Sequence, residues 1–362
     1  MKKSEIDLIQ TTYSGKKVLV TGHTGFKGSW LITWLDMLGA EVMGYSLAPE
    51  NDYDLYNQIS SETKHQSIIA DIRDKEQFEQ AILNFNPDFI FHLAAQPLVR
   101  YSYEHPVETY ETNVIGTANL LAGMRTLSKK CAAVLITTDK VYHNNEWDYP
   151  YRENDRLGGY DPYSSSKACC ELLIDSFGKS YFNPSSYQEH KISLSTARAG
   201  NVIGGGDWAK DRIVPDIVRA LEKSEAINVR NPLSVRPWQH VIEPLGAYML
   251  LGAKSYNDHT MGGAWNFGPN TNDILTVGEL ANHAISIWGE GTITSPEVAD
   301  GPHEAGLLML DISKAYRKLN WEPKYTSAEA VAISINWYKN FLAGEKAHQL
   351  IKNDINNYLN IT

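Results

Sequence analysis

Three cysteines in 362 residues leave little scope for covalent stapling. Cys131, Cys169 and Cys170 form neither a disulfide framework nor a C-x-x-C metal motif, so the fold must rest on a packed core. Cys169 and Cys170 fall in a helical stretch and read as buried free thiols. The eleven histidines, His240 included, lack metal-ligand spacing, and no metal is expected. No apolar run approaches the ~20 residues of a membrane span. The first sixteen residues are polar and lack the apolar stretch of a signal peptide, which points to a cytoplasmic protein. Positive charge is also in deficit: 33 Lys and Arg stand against 43 Asp and Glu, a net −10. That balance excludes non-specific nucleic-acid binding, which needs a basic face. Any phosphate-bearing ligand must be met by a local arginine cluster or a helix N-terminus.

What is present is alternation. KVLVT (17–21) reads as a buried strand, followed by a glycine-rich turn, the helical SWLITWLDML and the strand EVMGY. The cycle repeats through SIIA, a helix around KEQFEQAIL, DFIFHLAA, a helix around TNVIGTANLLAGM and AAVLITT. Strands alternating with helices imply right-handed crossovers and a parallel sheet covered on both faces. Beyond residue 200 the pattern loosens into helices separated by Gly-, Pro- and Asn-rich loops, with no repeat and no long linker. The expected architecture is α/β: a doubly wound parallel sheet over residues 1–200, and a smaller α/β domain over 201–362 with some chain crossing back. The smaller domain should cap the sheet's carboxyl edge, where ligands of open α/β sheets bind.

Thr21-Gly22-His23-Thr24-Gly25-Phe26-Lys27-Gly28 reads T-G-x-x-G-x-x-G directly between strand and helix. Gly22 permits a tight turn, Gly25 lets backbone approach a pyrophosphate, and Gly28 lets helix and strand pack closely. In that context the motif points to a dinucleotide rather than an ordinary turn. Further on, Tyr163 and Lys167 stand four apart on one helical face, opened by Asp161-Pro162. A phenol with a pKa near ~10 serves as a base at neutral pH only if a cation stabilises its phenolate, and a lysine one turn away can do so. Thr138-Asp139-Lys140 leaves the fifth strand. The adjacent carboxylate and amine are either a surface ion pair or an acid and a base aimed at one substrate. The second reading requires the chain to bend there, since side chains alternate along a strand.

With this turn spacing and the Tyr163/Lys167 pair, the sequence resembles the extended branch of the short-chain dehydrogenase/reductase superfamily, whose fold is of Rossmann type. The blocks TGHTGFKGSWL, HLAAQPLVRYSY, TTDKVYHNNEW, LGGYDPYSSSK, ARAGNVIGGGDWAKDRIVPD and RPWQHV are similar to those of the CDP-glucose 4,6-dehydratases. The resemblance spans about Lys17 to Tyr338. It implies NAD held by Gly22, Gly25, Phe26, Lys27 and Gly28, with Asp71 and Ile72 as the adenine wall and Leu93, Ala94 and Ala95 as the nicotinamide wall. Lys167 would also bond the nicotinamide ribose. The usual acidic ribose clamp after the second strand is replaced by Tyr45-Ser46-Leu47. Glu50, Asp52 and Asp54 follow, and no Lys or Arg occurs from Gly44 to Thr63, which favours NAD over NADP. Lys27 is the residue that could reverse that preference.

The resemblance also implies roles. Thr138, Tyr163 and Lys167 would serve oxidation at the sugar's C4, with Asp139 as acid and Lys140 as base for the elimination, where the commoner arrangement has Glu. That needs Asp139 protonated and Lys140 neutral, which carries the same proton count as the ion pair. The nucleotide sugar, with CDP-glucose favoured, would be held by Arg100, Asn201, Arg212 and Arg236, taken from a wider set including Arg198, Arg219 and Arg230. Trp208 and Trp238 could stack on a base, but core is the better default. A homodimer pairing through helices around 109–126 and 162–180 is implied as well. A 4-epimerase or decarboxylase would share the glycine turn, Tyr163 and Lys167 but has no need of Asp139-Lys140. A non-catalytic NAD sensor would not need a phenolate.

Overall fold

The computed structural model describes residues 2–295 and 307–360. Seven parallel strands make one sheet: β1 (Lys17–Thr21), β2 (Glu41–Ser46), β3 (Gln66–Ile69), β4 (Phe89–His92), β5 (Cys131–Ile136), β6 (Ile192–Ala199) and β7 (Gly263–Phe267). Their order across the sheet is β3-β2-β1-β4-β5-β6-β7. All six residues of β5 are buried, as expected of a strand covered on both faces. Alternate residues supply the two faces: Val18 and Val20 pack with Trp30 and Leu31, whereas Leu19 packs with Ile82, Leu120 and Ile174. Between β1 and β4 the winding reverses direction, and a crevice opens at the strands' carboxyl ends.

Two helices depart from the sequence expectation. The polar opening segment forms a helix, Lys3–Tyr13, that buries Ile6, Ile9 and Tyr13. Tyr13 packs its ring 4.6 Å from that of Phe89 and donates its hydroxyl to the Met249 carbonyl at 2.6 Å. The helix Ile242–Asn257, from the half expected to form the smaller domain, is buried on nearly every side because it covers β4, β5 and β6. With β7 it returns to the sheet, so residues after 200 divide between sheet cover and lobe.

The lobe is built from helices Ile213–Glu222, Val277–Trp288 and Ser327–Leu342. Two of these start in reciprocal capping boxes, Thr276 with Glu279 and Thr326 with Glu329, each of T-x-x-E spacing. Cys170 is buried as expected, but Cys169 is half-exposed, since adjacent helical residues point about 100° apart. Among the described residues, no helix is long and apolar enough to cross a membrane.

Candidate active site

The glycine turn is shaped by close backbone contact. Gly22 has φ +73°, and a Cβ there would lie 2.7 Å from Ala94 N at the end of β4; a Cβ on Gly28 would lie 2.1 Å from the Gly22 carbonyl. Helix Phe26–Met37 therefore begins hard against both strands. Gly25 is its N-cap, exposed and without a side-chain cap, so the first-turn N–H groups open on the crevice. A diphosphate can be seated by such an end. The residues fit a dinucleotide.

One cleft of about 1620 Å³ joins this turn to the lobe. It exceeds the ~300–1,000 Å³ of a single small-molecule pocket and has room for two ligands. Every residue expected to hold NAD or the sugar lines it: Gly22, Gly25, Phe26, Lys27, Gly28, Asp71, Ile72, Leu93, Ala94 and Ala95 on one side, and Arg100, Asn201, Arg212 and Arg236 on the other. Thr138, Asp139, Lys140, Tyr163 and Lys167 lie on the same surface.

The chain does bend after β5. Asp139–Val141 form a single 3₁₀ turn, and both Asp139 and Lys140 reach the cleft. Thr138 caps that turn and donates its hydroxyl to the Asp139 carboxylate at 2.9 Å. The carboxylate is buried, which pushes its pKa up against the pull of Lys140, the Thr138 hydroxyl and Arg236. The helix Pro162–Ser180, which carries Tyr163 and Lys167, is capped by Asp161, whose carboxylate takes the Ser164 N–H at 2.8 Å and its hydroxyl at 2.6 Å. Lys167 is buried below Tyr163 and donates Nζ to the Ile136 carbonyl at 3.2 Å. Burial lowers its pKa. Burial pushes the Tyr163 phenol up to about 12, opposed first by the Thr138 hydroxyl. Burial also lowers Lys27 to about 8, with the charges of Arg212 and Lys167 adding to the effect.

The arginines divide. Arg212 donates to the buried Asp207 at 2.8 Å and faces the cleft. Arg236 is held on a two-residue strand paired with Leu275 and Thr276. Arg100 and Arg230 both reach Asp211, at 3.5 and 3.3 Å, across the cleft mouth. Arg198 and Arg219 do not line the cleft. Arg198 belongs to β6 and is 3% exposed, bound two-pronged to Glu171 at 2.8 and 2.9 Å. Arg219 is spent on the Trp208 and Ala209 carbonyls and on Asp216. Trp238 is core, donating to the Leu275 carbonyl at 2.9 Å, whereas Trp208 is half-buried on the cleft wall beside Tyr338. His240 is buried against the edge of Trp30, and burial lowers it to about 3, so it stays neutral.

Sequence reasoning missed two features of the site. Arg73 follows the cleft-lining Asp71 and Ile72, its guanidinium bound to Asp71 at 2.6 and 2.8 Å. The segment His143–Tyr160 lies along the cleft as a flap, with His143, Asn144 and Tyr160 on its inner side. Its Trp147 and Tyr149 are exposed aromatics within a polar run, which carries no periodicity to show where it would fold.

Residues 19–333 match the family model described as GDP-mannose 4,6 dehydratase. Over 351 residues the chain is 45% identical to the CDP-glucose 4,6-dehydratase of Salmonella typhimurium, covering 97% of this chain and 98% of that protein. The solved dTDP-glucose 4,6-dehydratase from Streptomyces venezuelae, with NAD and TYD bound, superposes with a TM-score of 0.76 at 23% identity, covering 92% of this chain and 99% of that one. The UDP-glucose 4-epimerase of Thermotoga maritima, with UDP-glucose, gives 0.72 at 23% identity, covering 90% and 99%. Dehydratase and epimerase share the fold, so the two superpositions establish architecture and do not select a reaction. On the family match and the 45% identity, the chain belongs to the GDP-mannose 4,6 dehydratase family, in the extended branch of the short-chain dehydrogenases/reductases.

Proposed function

We propose that this chain is an NAD-dependent nucleotide-sugar 4,6-dehydratase that converts CDP-glucose to CDP-4-dehydro-6-deoxy-glucose and water. The observation that carries the reading is the buried Asp139 beside Lys140, both facing the cleft that holds Tyr163 and Lys167. An epimerase or decarboxylase has no elimination across C5 and C6 for such a pair to serve.

Bound NAD supplies the hydride acceptor at C4 and later the donor at C6. Residues 1–200 hold it on the glycine turn and carry the catalytic side chains, while residues 201–362 mainly grip the nucleotide sugar. Tyr163 takes the proton of the 4-hydroxyl, its phenolate steadied by Lys167. The resulting ketone acidifies C5–H. Lys140, as the neutral amine, removes that proton, and Asp139 protonates the departing 6-hydroxyl, which leaves as water. Lys140 then returns a proton to C5, and the proton on Tyr163 replaces the one lost from Asp139 by way of solvent. Burial, which favours the protonated carboxyl, suits Asp139 to the acid role.

Arg212, Arg236, Arg100 and Asn201 are assigned to the diphosphate and sugar. A homodimer belongs to the same reading. Val107, Ile115 and Leu172 are apolar yet 69%, 52% and 60% exposed on neighbouring helices, which suits a helical interface. A cytoplasmic location is consistent with the buried free thiols of Cys131 and Cys170.

The test offers CDP-, dTDP-, UDP- and GDP-glucose with NAD and identifies products by mass and NMR. The expected result is a 4-keto-6-deoxy sugar formed fastest from CDP-glucose. A 4-epimer, a decarboxylated sugar or no turnover of any nucleotide hexose would overturn the reading.

A further inference from the structure

Both ends of the segment Thr137–Tyr142 are tied to one buried ion pair that the mechanism above does not use. At the leading end, Thr137 donates its hydroxyl to Glu171 Oε1 at 2.6 Å. At the trailing end, the Tyr142 hydroxyl accepts from Arg198 Nη1 at 2.6 Å. Glu171 and Arg198 bind each other through two hydrogen bonds and are 4% and 3% exposed. Between the two ties lie Thr138, Asp139 and Lys140.

We infer that the Glu171–Arg198 pair positions the Asp139–Lys140 turn for the elimination step, with Thr137 and Tyr142 as the arms through which it acts. The inference rests on the dehydratase reading. Glu171 lies four residues beyond Lys167, which lies four beyond Tyr163, so all three face one side of the catalytic helix. That ridge meets the end of β5 residue by residue: Tyr163 at Thr138, Lys167 at the Ile136 carbonyl and Glu171 at Thr137. The base of the oxidation step and the acid–base pair of the elimination step are thereby registered against one helix.

The second partner, Arg198, extends the device to the flap. Its Nη1 also donates to the Glu153 carbonyl at 2.9 Å, and the Tyr142 hydroxyl donates onward to Asn266 Oδ1 at 2.7 Å. Asn266 in turn donates to the Tyr151 carbonyl at 2.8 Å and takes its own N–H to Glu153 Oε1 at 3.1 Å. The turn, the flap and β7 therefore share one polar network, buried except at the half-exposed Glu153. A buried pair of this kind is weak evidence for stability, since apolar residues of the same shape can replace it, but it fixes geometry. Fixed geometry is what the elimination needs, because acid and base must meet adjacent carbons of one sugar.

Two mild variants test this, one at each arm. Tyr142→Phe deletes the hydroxyl but keeps the ring, which stacks on Tyr151 at 5.1 Å and 15°. Thr137→Val deletes the other donor without changing size. The positioning role predicts kcat lower by ~10- to 100-fold in each, from misplaced acid and base. KM should stay within about twofold, since ground-state binding is untouched. Acid-quenched single turnovers weighed by mass spectrometry should hold the 4-keto, 6-hydroxy sugar, which the wild type passes on to 6-deoxy product. Normal kcat in both variants would overturn the proposal. So would losses in which KM rises as kcat falls and no 6-hydroxy ketone builds up, which is the signature of general loosening. Wild-type protein run alongside keeps the two readings apart: if it forms no 6-deoxy product, the dehydratase reading fails by itself.

Discussion

Thr138 gives its hydroxyl proton to Asp139 across 2.9 Å, and the same oxygen receives the Lys140 backbone N–H at 3.4 Å. One threonine thereby ties together the two residues assigned as acid and base. Replacing each residue separately should expose its role. Lys140→Met should cut 6-deoxy product formation by at least ~10²-fold, as expected for loss of a general base. In deuterated water it should incorporate little deuterium at C5 of any recovered sugar. Asp139→Asn should keep that exchange while water loss slows, because the base survives and only the leaving hydroxyl loses its proton donor. Near-normal product formation by Lys140→Met would reduce the pair to a structural one.

Tyr163→Phe should lower turnover by ~10²-fold or more, since it removes the group that accepts the 4-hydroxyl proton. Binding of the nucleotide sugar, measured by calorimetry, should change little, and the circular dichroism spectrum should match the wild type. A near-normal rate would mean that another residue starts the oxidation.

NAD should bind at least ~10-fold tighter than NADP, a difference of about 1.4 kcal/mol. Glu50, Asp52 and Asp54 follow β2, and Arg73, beside the proposed adenine wall, is already engaged by Asp71 at 2.6 Å. Paired titrations with the two dinucleotides check this. Equal or tighter NADP binding would show that Lys27 or Arg73 outweighs the acidic loop.

Charge on the exposed apolar helix faces should split the proposed dimer. Val107→Glu combined with Leu172→Glu should elute as a monomer in size-exclusion chromatography with light scattering, while the wild type elutes at twice the chain mass. A wild-type monomer would remove the homodimer from the reading.

Asp354 should make stability fall as pH rises. Burial pushes its carboxyl up to about 7, and one of its oxygens has no hydrogen-bond partner among the described residues. The folded state thus keeps a proton that the unfolded chain releases near ~4, so this contribution is complete below ~4 and is lost as pH climbs through about 7. Asp354→Asn should therefore stabilise the protein by about 4 kcal/mol at pH 8 and change little at pH 4. Thermal melts of both proteins across that range would show the two curves separating with pH. Parallel curves would mean that the carboxyl is hydrated.

The sheet was legible because its strands are short apolar runs punctuated by glycine, and periodicity reads such runs directly. The cleft residues were legible for a different reason: Gly22 and Tyr163 belong to motifs whose spacing carries chemistry, and Asp139 stands in a block that resembles a known family. Arg198 stood in the wider set of candidate phosphate ligands because its partner Glu171 lies 27 residues away, and only the pairing of β5 with β6 beside the helix Pro162–Ser180 brings them together. Helix Lys3–Tyr13 escaped notice because Ile6, Ile9 and Tyr13 mark a narrow stripe within a polar segment. The position of β7 could not be read either, since GAWNF is short and its neighbour in the sheet is about seventy residues earlier in the chain.

Helix Ala347–Asn360 packs on the first crossover helix, with the Tyr358 ring set edge-on to Trp34 at 6.0 Å and Ile351 and Ile355 wholly buried. Some 320 residues of chain separate those two rings. On the ribosome, the glycine-turn helix therefore emerges with one flank bare and waits for those residues to be made before it is covered. At ~5–20 residues per second that delay is tens of seconds, long enough for a chaperone to occupy Trp34 in the interval. The helix that opens the glycine turn is sealed only after a segment more than three hundred residues downstream has been made.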